Sequence, residues 1–565
     1  MPLSTRDDQQ LIHSPKLLAK DILGISLSFI LALLLQVIVL NFRVVLYDEG
    51  LSLYGALRVF HGQLPYRDFW TMYPPGQFYV YAAAFRLFGV YGIWDRVFFV
   101  LFNAISAVAI LYILHKLTGR PWLSRFTVAL ILLWMCGHAS YGFPIYPSLA
   151  FIFIATAFLL ARWRDGSARW TLAAGAALGF AALFRHDLAL YSLVALAAAS
   201  VAGQLRSGRS LRYLHTWSDS LRLICLAILV VAPVVIVLLL RVPLSDLYYS
   251  LFYVPGVIYP KVRSTPFPNL HQIVHGFLHA GHMTLAGPAL GEAEYNIVWL
   301  PLLTVAIALP WIVVQMRSRN IETWKATAYL ALFLLTGLLF LKGLIRVSTL
   351  HMTQSIVPAA MLIAILMAEW VSLRPALRAG LLFTIAWGLL SVVGTGRRDY
   401  DFFRDNLRLL NPANSYGSFA SACHPLPGLE RAKCLFLDPH EQQAILFLQS
   451  KTAPGEPIFV GVPRYDILFD NDISFYFFSG REAATKWYDL HPGVETTAPI
   501  QQEIITSLER NRVRYIIQDN WPFPNEPNAS HISSGVTLLS DYIRRNYSPE
   551  NEFDEIKILQ RSSPF

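Results

Sequence analysis

Charge is scarce in this chain: 15% of its 565 residues are Asp, Glu, Lys or Arg, against roughly 25% in soluble domains. That deficit excludes an ordinary soluble protein. Cysteine is scarcer still, with four in all, and they form no Cys-x-x-Cys pair that would mark a metal site. The tail lacks a Gly-rich phosphate loop, and the chain shows no internal repeat of the kind many transporters carry. The formal net charge is +9, yet no nucleic-acid motif accompanies it. The basic residues sit in short loops between apolar runs, which is the charge bias of a membrane protein, so no nucleic-acid partner is expected.

Apolar residues are plentiful, at 55% with mean hydropathy +0.44. Runs of about 20 residues recur, the length that crosses a bilayer core. The first, near residues 22–40, follows Lys16 and Lys20. It is too long for a signal-peptide core and has no small-residue cleavage site, so it is expected to remain. Further spans are expected near 97–115, 126–143, 147–161, 170–184, 188–203, 222–241, 297–315, 326–341, 350–369 and 377–395, about eleven in all. Gln77–Phe88, about twelve residues, is too short to cross and is expected at the interface or as a re-entrant piece.

The basic loops test this alternation. Lys116 to Arg125, Arg162 to Arg169, Arg206 to Arg222, Arg317 to Lys325 and Arg374 to Arg378 all fall on the side of Lys16 and Lys20, which must be cytoplasmic. The fold class expected is therefore a polytopic α-helical membrane domain, residues 1–396, with a large first outward loop at 42–96. After it comes an extracytoplasmic α/β domain, residues 397–565. In that tail, Asp438-Pro439-His440-Glu441 reads as a helix start. Strands are expected at 457–462, 513–518 and 553–560, with helices at 499–510 and 536–546. Cys423 and Cys434 form a disulfide if the tail faces an oxidising compartment; two free thiols are the alternative.

The chemistry gathers on the outward side. Asp48-Glu49 follows the first span, then come Pro65-Tyr66-Arg67-Asp68-Phe69 and Tyr73-Pro74-Pro75-Gly76. Tyr141 to Pro147, Arg185-His186-Asp187, Lys261 and Arg263, and Lys342, Arg346 and His351 join them. Carboxylates opposed by guanidinium groups at a membrane surface suit transfer of a sugar from a lipid phosphate to a hydroxyl. The leaving phosphate needs only positive charge, whereas the hydroxyl needs a base. Asp48 is read as that base, with Glu49 orienting the acceptor or binding a cation. Arg67, Asp68, Tyr73, Arg185, His186, Lys342 and Arg346 are read as substrate-binding, and nothing in the tail reads as catalytic. His271, His275 and His279 stand at i, i+4, i+8. A divalent metal on that helix face is one reading and a polar interfacial face the stronger one. No metal ligand set is assigned, and a divalent cation remains the sole cofactor considered.

These motifs, with Leu87-Phe88-Gly89 and Asp95-Arg96, resemble the GT-C-type membrane glycosyltransferases, in particular bacterial protein O-mannosyltransferases and lipid A aminoarabinose transferases. The resemblance covers most of the chain. It extends to the break at Phe184-Arg185-His186 and to the tail ending in Tyr542-Ile543-Arg544-Arg545-Asn546-Tyr547. It implies a polyprenyl-phosphate sugar donor, a lipid, glycan or protein acceptor, membrane lipid as surroundings, and Asp48 as the catalytic acid residue. It also implies residence in a bacterial inner membrane with a cytoplasmic N-terminus. One departure stands out: aminoarabinose transferases tend to carry Lys before Pro-Pro, where this chain has Tyr73. A flippase of lipid-linked sugars and a glycan polymerase are the alternative functions.

Overall fold

The apolar runs become helices because in hydrocarbon every backbone N–H and C=O must be paired within its own segment. The computed structural model describes residues 15–138, 140–269, 271, 295–412, 418–468, 470–520 and 526–563. Helices α1 (Pro15–Val37), α2 (Asp48–Phe60), α3 (Gly76–Phe88), α4 (Trp94–Thr118), α5 (Pro121–His138) and α6 (Ile145–Asp165) open the chain. They are followed by α7 (Ala168–Phe184), α8 (His186–Arg206), α9 (Ser218–Arg241), α10 (Leu300–Arg317), α11 (Thr323–Gly343), α12 (Thr349–Ala368), α13 (Pro375–Ser391) and α14 (Val393–Leu409). Each of the eleven apolar segments expected to span coincides with a helix.

Length and composition do not confirm the exact number of spans. Among the described residues, seven helices are long and apolar enough to cross a membrane: α4, α6, α8, α9, α10 with the turn before it, α11 and α12. The pair α13 and α14, bent by 41°, would make an eighth, while Leu23–Val37 and α7 are shorter apolar helices. The chain is thus an integral, multi-pass membrane protein. Helix α3 has 13 residues, too few to cross, and buries Phe78, Tyr81 and Phe85 beside α2.

Small residues set the helix spacing, since lipid offers no hydrophobic drive for helix association. On α7, Gly175 and Gly179 face α9 so closely that an added Cβ would lie 2.9 Å from the Leu223 carbonyl and 2.8 Å from that of Ala227. Gly76, after Pro74-Pro75, is needed for the same reason: a Cβ there would lie 2.6 Å from the Leu183 carbonyl oxygen. Between α7 and α8 the chain breaks at Arg185, which is extended at φ −147°, ψ 94°.

In the tail, α15 (Pro439–Lys451) starts where Asp438 accepts hydrogen bonds from the His440 and Glu441 amides, as its sequence implies. Strands β1 (Pro457–Gly461), β2 (Glu482–Ala483), β3 (Tyr515–Asp519), β4 (Tyr547–Phe553) and β5 (Ile556–Arg561) form one sheet in the order β2-β1-β3-β5-β4. The first three are parallel, and β5 runs antiparallel to β3 and β4. Helices α16 (Ser474–Ser479), α17 (Ala498–Arg510) and α18 (Leu538–Asn546) complete the unit. The strand expected at 553–560 is β5, and β4, which the sequence did not suggest, pairs with it across a turn at Asp554 with φ +53°. Cys423 and Cys434 are joined by a disulfide.

The tail does not stand apart from the first loop. One hydrophobic cluster joins Leu53, Tyr54 and Leu57 of α2 and Phe78 and Phe85 of α3 to Ile445, Ile458, Tyr476, Tyr488 and Ile517. Gly50 lies so near α16 that a Cβ there would approach Ser474 N within 2.3 Å. That packing brings distant carboxylates to the first loop.

Candidate active site

Asp48 sits in the first turn of α2, where the helix dipole favours a negative charge. The Tyr141 hydroxyl donates to its Oδ2 at 2.8 Å. Burial raises the Asp48 pKa above the ordinary carboxylate value, and the Tyr141 bond and the charges of Arg346 and Arg263 oppose that rise. The result is a carboxylate in a partly desolvated place with positive charge nearby. Such a group can take a proton from a hydroxyl.

Glu49, its neighbour, is placed differently. It is fully buried, its Oε2 lies 3.0 Å from Arg96 Nη2 and it accepts from the Val45 amide at 2.9 Å. Arg96 also meets Asp95 Oδ2 at 2.9 Å and donates to the Asn41 and Arg43 carbonyls. Asp95 Oδ2 in turn accepts from the Gly142 amide at 2.6 Å. Gly142 tolerates no side chain, because a Cβ would lie 2.7 Å from Asp95 Oδ1. This chain of contacts ties Glu49 to the loop that carries Tyr141, the donor to Asp48.

The remaining sequence-derived residues divide into two groups. Arg67 and Asp68 pair with each other at 2.7 Å on the surface, and Asp68 accepts from the Leu64 amide; they close a turn and make no bond to Asp48. Tyr73, by contrast, packs edge-on against Phe143 with centroids 5.6 Å apart, and the Arg185 guanidinium lies 5.9 Å above its ring. Arg185 grips Asp187 through two bonds of 2.9 and 2.7 Å, and Lys342 Nζ reaches the same carboxylate at 3.2 Å. His186 lies against Phe252. His351 Nδ1 lies 2.8 Å from the Ser348 hydroxyl. His271 is described, but His275 and His279 fall outside the described residues, so the metal reading on that face is not addressed. Among the described residues no cluster of three or more His, Cys, Asp or Glu could hold a metal ion.

Arg346 carries the clearest ligand signal. Its Nη2 binds Glu526 Oε1 at 2.5 Å and its guanidinium lies 6.0 Å over Tyr259, while Nε and Nη1 are buried with no hydrogen-bond partner among the described residues. Arg263 shares Glu526 at 3.8 Å and meets Asp470 at 3.6 Å.

Sequence reasoning missed the acids supplied by the tail. Asp470, Asp489 and Glu526 all reach the Asp48 region. The Tyr47 hydroxyl donates to Asp489 Oδ1 at 2.6 Å, and burial pushes the Asp470 and Asp489 carboxyls up to about 7. The Tyr488-Asp489 pair carries no motif, and only docking of the tail on α2 places it here. A carboxyl whose folded pKa lies above its unfolded value contributes stability below the unfolded value, near 3.9, and loses it as pH rises through the folded value of about 7. Asp489→Asn is therefore expected to raise the melting midpoint at pH 8, by up to about 4 kcal/mol in stability, and to leave it unchanged near pH 4. Scanning fluorimetry on both proteins across that range reads this directly, and equal midpoints at pH 8 would refute it.

No protein-family model and no curated protein matches this chain. Among solved structures it is similar to ArnT from Cupriavidus metallidurans bound to undecaprenyl phosphate, at 14% identity and TM-score 0.52, covering 95% of this chain and 97% of that one. The apo state of the same protein matches at 13% identity and TM-score 0.52, over 96% and 98% of the two chains. The apo oligosaccharyltransferase of Archaeoglobus fulgidus matches at 12% identity and TM-score 0.45, over 88% and 69%. Over nearly its whole length, then, the chain has a GT-C-like membrane fold.

Proposed function

We propose that this protein is a membrane glycosyltransferase that moves a sugar from a polyprenyl phosphate to a hydroxyl acceptor, with Asp48 as general base. The observation that carries this reading is Asp48, held by Tyr141 and under the charge of Arg346, whose Nε and Nη1 are buried without a hydrogen-bond partner among the described residues. A buried donor left unpaired is costly, and a phosphate oxygen is the acceptor that suits a planar guanidinium. The neighbouring fold recorded with undecaprenyl phosphate supports a donor of that class.

In the step itself, the acceptor oxygen attacks the anomeric carbon, the bond from that carbon to the phosphate oxygen breaks, and the hydroxyl proton passes to Asp48. Polyprenyl phosphate leaves with the electron pair. Arg346, with Arg263 beside it, stabilises the growing phosphate charge and needs no proton transfer to do so. Arg185 and Lys342 share Asp187, so they present a smaller net charge and serve better to orient than to neutralise. Glu49 and Arg96 position the Asp48–Tyr141 pair. A single displacement inverts the sugar. The outward face is the side on which we place this reaction, following the distribution of basic loops.

The test is transfer by purified protein from radiolabelled polyprenyl-phosphate sugars to a lipid extract, with the product's anomeric configuration read by NMR. An inverted product together with released polyprenyl phosphate is expected. Retention of configuration would exclude single displacement.

A further inference from the structure

A cavity lies away from Asp48, at the opposite end of α2. Its volume is about 150 Å³, and its wall includes Arg58, His61, Arg431, Arg481 and Glu482. A helix rises about 1.5 Å per residue, so the ten residues from Asp48 to Arg58 separate the two places by about 15 Å. Two other cavities hold about 10 Å³ each and are lined largely by apolar side chains.

Three guanidinium groups meet one carboxylate here, and none of the three forms an ion pair among the described residues. Arg58 is 7% exposed and Arg481 is 5% exposed. Arg58 is held by the Gln63 side chain and by the Thr485 and Asp68 carbonyls, with its guanidinium 5.2 Å from the Phe69 ring. Arg481 donates to the Thr452 hydroxyl and carbonyl and to the Ser479 carbonyl. Both are therefore fixed charges bound to neutral acceptors. Arg431 differs, because its side chain gives one N–H to the Phe477 carbonyl at 2.7 Å and makes no other hydrogen bond among the described residues. Burial lowers the pKa of both Arg431 and Arg481, and the charges of Glu430 and Glu456 only partly oppose that fall.

Burying charge without a counter-charge is expensive, and a folded protein keeps such an arrangement where a ligand completes it. The wall carries a net two positive charges when His61 is neutral. A phosphate monoester carries about −1.5 to −2 at pH 7 and offers several acceptor oxygens to guanidinium groups, which a carboxylate does not match. We infer that this cavity, between α2 and the β1–β2 edge of the tail, is a binding site for a phosphoryl group, with Arg431 as the contacting residue and Arg58 and Arg481 as fixed charges behind it. The site shares no residue with the Asp48 region and stands whether or not the transfer reading holds.

The experiment uses the full chain in phosphatidylcholine nanodiscs, titrated with inorganic phosphate at constant ionic strength and followed by calorimetry. Saturable binding is expected. Arg431→Gln should weaken it at least about tenfold, and Arg514→Gln, which breaks a surface pair with Glu456, should leave it unchanged. Glu482→Gln removes the one opposing charge and should tighten binding several-fold. That opposite sign keeps the inference exposed even if Arg431→Gln fails to fold. Phosphatidic acid added to the nanodisc distinguishes the sources: competition with phosphate identifies a lipid headgroup, and no competition identifies a soluble phosphate ester. Absence of saturable binding to the native chain, or equal affinity in the Arg431 and Glu482 variants, overturns the site.

Discussion

Asp48→Asn is expected to abolish sugar transfer by a factor of about 10³ or more while leaving the protein folded. The substitution is nearly isosteric, and an Asn oxygen can still accept from Tyr141, which now bonds Asp48 Oδ2 at 2.8 Å. What the amide cannot do is take the acceptor's proton. General-base assistance contributes about 10² to 10⁴ in rate, and a hydroxyl attacking without it meets the barrier of an unassisted alcohol. The native enzyme should also lose kcat/KM as pH falls, because the base must be ionised. With Asp48 raised above its ordinary value by burial, that acid limb should lie above the range of a free carboxylate. Asp48→Asn should show no such limb in its residual rate. Measuring both profiles separates a base from a structural acid, since a merely structural loss would lower the rate without removing the limb. A folded Asp48→Asn variant within a few-fold of native turnover would remove Asp48 from the chemistry.

The importance of Asp48 was legible because its cause is local. An acid just past an apolar run stays near water or takes on a task, and both conditions can be read along the chain. Its partner Glu49 shows where such reading stops. Adjacent residues look equivalent in a sequence, yet a helix turns about 100° between them, and here that rotation sends Asp48 to Tyr141 and Glu49 to Arg96. The eleven helices were legible for the same local reason, hydrophobic length, whereas which of them are long enough to cross depends on where each begins and ends. Strand β4 was missed because the turn that joins it to β5 uses Asp554, not Gly, in the left-handed region, which Asp enters more readily than most residues. The acids Asp470, Asp489 and Glu526 could not have been found at all. They lie more than 400 residues from Asp48 along the chain, and no spacing rule links them. Only the shared core of α2 with the tail brings them together.

The same core gives the largest expected effect on stability, at Arg96. Its guanidinium is the cation shared by two fully buried carboxylates, Glu49 at 3.0 Å and Asp95 at 2.9 Å, and it is itself 1% exposed. Arg96→Met keeps much of the volume and removes the charge. Both acids then lose their ion pair, and the Asn41 and Arg43 carbonyls lose their donor. Removing one partner of a buried pair costs about 3–5 kcal/mol, and here two acids are stranded by one change, so the variant should sit at or beyond the upper end. Adding Glu49→Gln to Arg96→Met should recover part of that loss, because a neutral amide is cheaper to bury than an unpaired carboxylate. The double-mutant cycle should therefore show a coupling above about 1 kcal/mol. Additive effects would mean that solvent already reaches the pair. Transfer should fall in step with stability in the single variant, because Asp95 also holds the Gly142 amide and, through that loop, the hydroxyl that orients Asp48.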